Sequence, residues 1–242
     1  PPFASIRERT DIAGATEVVP FPAVVKPTGA SASKGIFTVH DRDELESAVD
    51  TLLLYSTPHN DPIFRRRGGE LVLEGFLTGT EHSVEGIVVE GRLVFWTITD
   101  KVVDPGFNLE LQQIQPSSLS PDVIERCRTA AQTVIDALGI GTSAIHLELK
   151  VDGTAVRVIE LNARTAGGYI TTHLIGLSRG VDMLVETLAA VCGLRAVNTA
   201  PEPTLHVGSR QHLVSTTGYL RGVNGLDAVL DVPGVANVFL DG

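Results

Sequence analysis

An α+β fold built on antiparallel sheets is what this sequence predicts, on three observations. Strand-like runs follow one another in groups, as in "ELVLEGFL", "EHSVEGIVVEG" and "RLVFWTITD". Helical patterns stand singly between those groups, whereas a doubly wound parallel sheet needs strand and helix in regular alternation. The composition, 43% hydrophobic and 20% charged over 242 residues, is that of an ordinary globular chain with room for one large domain or two modest ones.

The elements follow in order. Residues 1–19 read as the remnant of an upstream linker, because the chain opens Pro-Pro without a Met. From Phe21 come a strand (Ala23 to Lys26), a loop of small residues (Pro27 to Lys34) and a second strand (Gly35 to His40). "DRDELESAVDTLLL" is spaced as a helix, with Asp41 as N-cap and Glu44 three residues on to complete a capping box. A loop from Ser56 to Gly69 leads to the three strand runs quoted above, and "KVVDPGFNLELQQIQPSS" reads as irregular. Ser120 and Pro121 open a strong helix, "DVIERCRTAAQTVIDAL", which Gly139 closes. A hairpin, "HLELKVDGTAVRVIELN", comes next, then a loop and a buried helix in "GGYITTHLIGLSRGVDMLVETLAAVCG". A linker, "RAVNTAPEPT", leads into short strands that end too soon to close a sheet, as in a piece cut from a longer protein. The implied divisions are 20–77, 78–196 and a truncated β-rich part at 197–242.

The net charge of -10 argues against a nucleic-acid binder, whose affinity rests on Lys and Arg neutralising phosphates, and the Arg65-Arg66-Arg67 run suits a solvated loop. Cys127 and Cys192 lie in apolar-periodic stretches without a C-x-x-C, so both are expected buried and reduced, with no zinc site. No run of about eighteen apolar residues and no signal pattern occurs, so no membrane partner and a cytoplasmic location are expected. An acidic chain that handles anionic nucleotides has to concentrate positive charge locally.

Four stretches suit such chemistry, though each alone also has a purely structural reading. "VVKPTGASASKGIFTV" sets Lys26 at a strand end under a loop of Gly, Ala, Ser and Thr, whose N–H and hydroxyl groups can close on a phosphate chain. It is not a Walker A loop, since Lys34-Gly35 opens a strand and not a helix. In "LVLEGFLTGTEHSVEG", Glu74 at a strand end and Glu81 beyond a bend suit an adenine edge and ribose hydroxyls. Glu148, Glu160 and Asn162 offer hard oxygen ligands for Mg²⁺ or Mn²⁺, and Arg164 suits a phosphoryl or carboxylate group. His146 is equally consistent with a supporting contact and with a structural histidine.

The hairpin register decides whether those ligands meet. A two-residue Asp152-Gly153 turn would send Glu148 and Glu160 to opposite faces. A three-residue loop, Val151 to Gly153, pairs Lys150 with Thr154 and puts His146, Glu148, Glu160 and Asn162 on one face. Ile145, Leu147, Leu149, Ile159 and Leu161 then form the core face, while Val156 and Val158 fall on the polar side. The odd-length connection is therefore the prediction, with Glu148 and Glu160 close enough to share a metal ion.

In this order, K-P-x-G-x-S-x-S-x-G, L-E-G-F-L-x-G-x-E, H-x-E-x-K and I-E-x-N-x-R-x-x-G-G, the segment from about Phe21 to Gly193 resembles the ATP-grasp superfamily. Within it the chain is most similar to carboxylate–amine ligases of the L-amino-acid ligase and carnosine synthase type. The resemblance implies two α+β subdomains clamping ATP, with ATP and Mg²⁺ (or Mn²⁺) as cofactors. It implies that Lys26, Ser31, Ser33 and Gly35 bind phosphates, that Glu74 and Leu77 lie at the adenine edge and Glu81 at the ribose, and that Glu148, Glu160 and Asn162 hold metal. Arg164 would act with Lys26 on the transferred phosphoryl group or acyl phosphate. Partners would be a small carboxylate and an amine, and a homodimer is compatible with it. An N-terminal domain with a second phosphate lysine, expected ahead of Pro1, is absent from this chain, which is then incomplete for catalysis. Where the amino-acid ligases carry Glu-x-Gly-His-x-x-Pro-Ser, "ELQQIQPS" has Gln112 and Gln113 at the Gly and His positions. Another ATP-grasp ligase, of nucleotide-biosynthesis or biotin carboxylase type, and a non-catalytic ATP-binding module stand as alternatives.

Overall fold

A computed structural model describes the chain except residues 31–32, 66–68, 105–108, 195–200, 213–217, 220 and 241–242. Residues 1–211 form one compact unit. Its elements are β1 (Phe3–Ile6), α1 (Ile12–Val18), β2 (Ala23–Pro27), β3 (Phe37–Val39), α2 (Arg42–Tyr55), β4 (Leu71–Gly75), β5 (Thr80–Val89), β6 (Arg92–Val103), β7 (Glu110–Gln115), α3 (Pro121–Leu138), β8 (Ser143–Asp152), β9 (Ala155–Asn162), α4 (Ile175–Arg179), α5 (Met183–Val191) and β10 (Val207–Arg210).

Two antiparallel sheets carry the unit, in the orders β1-β4-β2-β3 and β10-β7-β6-β5-β8-β9. The small sheet alternates strictly on β2, where Ala23, Val25 and Pro27 are buried and Val24 and Lys26 are half-buried. Its inner face packs on α1 and α2 through Ile6, Ile12, Val25, Leu45, Leu52 and Leu73. Residues 1–19 are therefore no linker, because β1 pairs with β4 and Ile6, Ile12, Ala15 and Val19 belong to this core. Asp41 caps α2 through the Glu44 N–H, and Glu44 reaches back to the His40 N–H, one residue before the position a standard capping box uses.

The large sheet has two unlike faces. Val84, Ile98, Leu147 and Leu149 bury against Val123, Cys127 and Ala131 of α3. That helix begins with Ser120 at its N-cap and Pro121 behind it, and Gly139 ends it in a left-handed conformation. On the opposite face Ile87, Phe95 and Ala144 pack under Ile170, Ile175 and Met183, from the turn after β9 and from α4 and α5. The rest of that face is polar. Cys127 is buried as expected, and burial pushes its thiol up to about 11, whereas Cys192 is exposed.

Three expectations are corrected here. The stretch read as irregular contains the end of β6 and all of β7, in which the buried side chains are Gln113 and Gln115. Part of the presumed C-terminal subdomain is β10, which pairs with β7 and completes the large sheet. Residues 212–242 form a separate unit whose described residues hold a short helix, α6 (Leu226–Leu230), and no strand.

The hairpin brings Glu148, Glu160, His146 and Asn162 to one face as expected, but neither the odd-length loop nor the Lys150–Thr154 pairing is present. Asp152 pairs with Ala155 across a two-residue Gly153-Thr154 turn, so Lys150 pairs with Arg157 and Leu149 with Val158. The register then shifts, and Glu148 pairs with Glu160, Leu147 with Leu161 and His146 with Asn162. Ile159 is the extra residue, a β-bulge that exchanges the faces of β9 midway. Val156 and Val158 consequently pack with the α3 core, which removes the conflict an odd-length loop creates.

Two clamps stabilise the ends of this sheet and generate predictions. At Gly79, where φ is +106°, an added Cβ would lie 2.2 Å from the Val151 carbonyl oxygen, while the left-handed Gly153 has open space around it. Gly79→Ala is expected to cost about 2 to 5 kcal/mol and Gly153→Ala about 1 to 2 kcal/mol in urea unfolding, overlap adding to backbone strain only at the first. Asp100 lies 2.8 Å from His82 Nδ1 and accepts from Ser118 N, Ser118 Oγ and Ser117 Oγ, tying β6 to the approach to α3. Burial works to raise its carboxyl, but those donors outweigh burial and hold it well below the usual range. The carboxyl's contribution is thus complete above its ordinary value of 3.8 and is lost as pH falls below it. Asp100→Asn should destabilise by about 1 to 3 kcal/mol at pH 7. The gap from wild type should narrow steadily as unfolding is measured at more acidic pH.

Candidate functional site

The polar face of the large sheet follows from strand register. Residues paired across strands share a face, so one row runs Thr99, Ser83, Glu148, Glu160 and the next Thr97, Glu85, His146, Asn162. A third row begins at Gln113 and continues through Lys101, Glu81, Lys150 and Arg157.

Glu148 is the hub of this face. Its Oε1 accepts from Lys101 Nζ at 2.6 Å and lies 3.1 Å from His146 Nε2. Lys101 Nζ also donates to Glu110 Oε1 at 2.6 Å, and Gln113 Nε2 donates to the other oxygen of Glu110. His146 Nδ1 lies 3.1 Å from Glu85 Oε1, and Thr99 Oγ1 donates to Glu85 Oε2 at 2.6 Å. Burial alone would push each charge toward its neutral form. For Glu148 the contacts from His146 and Lys101 outweigh burial and bring its carboxyl down to about 2. For His146 the two carboxylates outweigh burial and raise it to about 9, and Lys101 is raised above the ordinary lysine range by Glu148 and Glu110. The group is a set of ion pairs that burial strengthens.

Of the metal ligands expected from sequence, Glu148 and Glu160 are directly opposed on one face, with Asn162 two residues beyond and its Nδ2 donating to Glu160 Oε1 at 2.8 Å. Two carboxylates and an amide, all hard oxygen donors, fit Mg²⁺ or Mn²⁺. Among the described residues no group of three or more His, Cys, Asp or Glu is arranged to hold a metal ion, so the amide is needed to complete such a set. Arg164 is exposed just past β9, and its Nη1 donates to the Thr165 carbonyl oxygen at 2.9 Å.

The phosphate and nucleoside residues fall into two groups. Lys26 and Glu74, read separately from sequence, form an ion pair at 2.9 Å on the outer face of the small sheet. Glu81 is on the large sheet, paired with Lys150 at 3.1 Å. Leu77 lies between β4 and β5 and helps line a cavity of ≈ 620 Å³ with Phe21, Phe76 and Arg157. Ser33 has φ 57° and Gly35 φ 74°; a Cβ at Gly35 would meet Leu52 at 2.8 Å, so that turn packs tightly on α2. Ser31 lies outside the described residues, as do Arg66 and Arg67. Among the described residues no hydrogen bond or ion pair joins Lys26 or Glu74 to Glu148 or Glu160.

Sequence reading missed Lys101, Glu85 and Glu110, although a signal was present. "TEHSVEGI" carries Glu81, Ser83 and Glu85 at every second position, and "TITDK" carries Thr97, Thr99 and Lys101 likewise. Period-2 polarity inside long apolar strands marks one polar face.

Comparison with known proteins places the sequence and the fold among relatives. The chain is 28% identical to human (Homo sapiens) carnosine synthase 1 over 219 residues, covering 88% of this chain and 26% of that protein. To the alanine–anticapsin ligase of Bacillus subtilis it is 27% identical over 195 residues, covering 75% of this chain and 41% of that protein. The chain thus spans less than half the length of both. In fold it matches the crystal structure of L-amino acid ligase from Bacillus licheniformis, with a TM-score of 0.81 at 23% identity over 98% of this chain and 57% of that one. Among the described residues no helix is long and apolar enough to cross a membrane. Residues 19–173 match the ATP-grasp domain family, and the chain belongs to it.

Proposed function

We propose that this chain is the ATP-grasp portion of an ATP-dependent carboxylate–amine ligase, working in the cytoplasm. The observation that carries the reading is the opposition of Glu148 to Glu160, with Asn162 beside them, on a face left polar by an otherwise apolar sheet. In support, its relatives include carnosine synthase and alanine–anticapsin ligase.

In this reading the loop after Lys26 closes on the ATP phosphates with Ser31, Ser33 and Gly35, and Lys26 supplies a point charge that Glu74 keeps oriented. Glu74 and Leu77 border the adenine and Glu81 the ribose. Glu148, Glu160 and Asn162 would hold Mg²⁺, which when bound offsets the charge of the phosphate oxygens. A substrate carboxylate oxygen attacks the γ-phosphorus, the bond to the bridging oxygen breaks, and ADP leaves. The amine nitrogen then attacks the acyl carbon, inorganic phosphate departs, and the nitrogen gives up a proton to form the amide. Arg164 stabilises the negative charge of the transferring phosphoryl group and of the acyl phosphate. No side-chain nucleophile is required.

Gln112 and Gln113 stand where the amino-acid ligases carry Gly and His, so the substrates to test extend beyond α-amino acids. With the full-length protein, a panel of carboxylates crossed with amines should show ATP-dependent phosphate release for at least one pair. Release independent of both would argue against ligation. Glu160→Gln should lower turnover by about 10²-fold while changing nucleotide affinity far less, since adenine and ribose contacts belong to other segments. Equal losses in a binding titration and a rate assay would contradict that division.

A further inference from the structure

The two oxygens of Glu148 are not equivalent. Lys101 Nζ donates to Oε1 and His146 Nε2 lies 3.1 Å from the same oxygen, and among the described residues no hydrogen bond engages Oε2. Lys101 has little freedom to let go. Its side chain is 0% exposed, and Glu110 Oε1 holds its ammonium from the other side at 2.6 Å. Glu110 is fixed in turn by Gln113, which is buried under Gly168. Leaving Oε1 would strand a buried ammonium with one partner fewer, which is costly in a dry environment. Rotation of the Glu148 carboxylate is therefore restrained from beneath.

We propose that Lys101 is a positioning residue that sets cation selectivity, by pinning Glu148 Oε1 so that only Oε2 is offered to a divalent ion. The inference rests on Glu148 being a metal ligand. A carboxylate offering one oxygen suits a small octahedral ion such as Mg²⁺ or Mn²⁺. Ca²⁺ takes more oxygens at longer distances and readily accepts both from one carboxylate. Replacing Lys101 removes the shorter of the two contacts on Oε1 and leaves only His146 Nε2 at 3.1 Å, which loosens that oxygen for bidentate binding and shifts preference toward Ca²⁺. Loss of a positive charge strengthens binding of any divalent ion, so the ratio of affinities, and not either affinity alone, isolates the geometric effect.

The test uses the full-length, nucleotide-free protein with Mn²⁺ alone as an electron paramagnetic resonance probe, and Ca²⁺ as competitor. Lys101→Met is expected to shift the Mn²⁺ to Ca²⁺ affinity ratio toward Ca²⁺ by about tenfold, the scale typical of residues that orient metal ligands. Lys101→Gln keeps an uncharged donor of similar length, so it should shift the ratio less; it also serves if the Met variant does not fold. An unchanged ratio in a folded variant overturns the proposal. Glu148→Gln separates the two levels: if it leaves Mn²⁺ affinity as in wild type, Glu148 is not a ligand and the underlying reading fails. A weakened Glu148→Gln beside an unchanged Lys101 ratio removes only the role of Lys101.

Discussion

Ile159 has no partner on β8, and this single unpaired residue lets one hairpin serve both a core and a polar site. Period-2 alternation allows a strand one set of inward side chains, and a strand that needs Val156 and Val158 inside must send Glu160 and Asn162 inside as well or interrupt its register. The bulge makes that interruption. Toward the turn, Val156 and Val158 meet Val151 and Leu149 against α3. Beyond it, Glu160 and Asn162 meet Glu148 and His146 on the opposite face while Leu161 continues the core. Bulges at sheet edges also discourage further strand addition, and β9 is an edge strand.

The polar face constrains the rest of the sheet by its charges. Glu85, Lys101 and His146 are buried, and isolated ions there would abandon their charge. Each instead has partners of opposite sign, and the chain Glu110–Lys101–Glu148–His146–Glu85 alternates sign along its length. Removing any one member leaves each neighbour with one opposite charge fewer, so the network resists piecemeal change more than an apolar patch of the same size. Gln113 and Gln115 cap one flank with amides, Gln115 Nε2 donating to Thr99 Oγ1 at 2.8 Å. This accounts for β7 having its polar residues turned inward.

Legibility from sequence divides along the same line. Elements whose apolar residues face a core were readable: α2 and α3 with their caps, the strands of β4 to β6, and the hairpin. β7 was not, because a strand whose buried positions are glutamines carries the alternation of a solvated loop. β1 and α1 were missed because two short elements at the chain start bury only through long-range pairing with β4 and α2, which no local pattern records. At the site, Glu148, Glu160 and Asn162 stood out as polar groups inside apolar strands, and their shared face was inferred correctly from an incorrect turn. A turn length and a bulge can put the same residues on one face in different registers, and only the mismatched faces of Val156 and Val158 distinguished them. Lys101 escaped because its meaning lies in its partners, brought together from β7 and β8.

An acidic chain that meets a nucleotide has to present uncommitted positive charge, and most of what this face holds is committed. Lys101 is bound by two carboxylates and Lys150 by Glu81, and His146 lies between Glu85 and Glu148. Lys26 shares its charge with Glu74 but keeps part of its side chain in solvent. Arg164 differs from all of these, since its guanidinium is exposed and its hydrogen bond goes to a neutral carbonyl. Among the described residues no carboxylate pairs with it, so most of its donors remain for an incoming anion. That exposure is compatible with the phosphoryl role proposed for Arg164, while the buried Lys101 and His146 hold the Glu148 carboxylate.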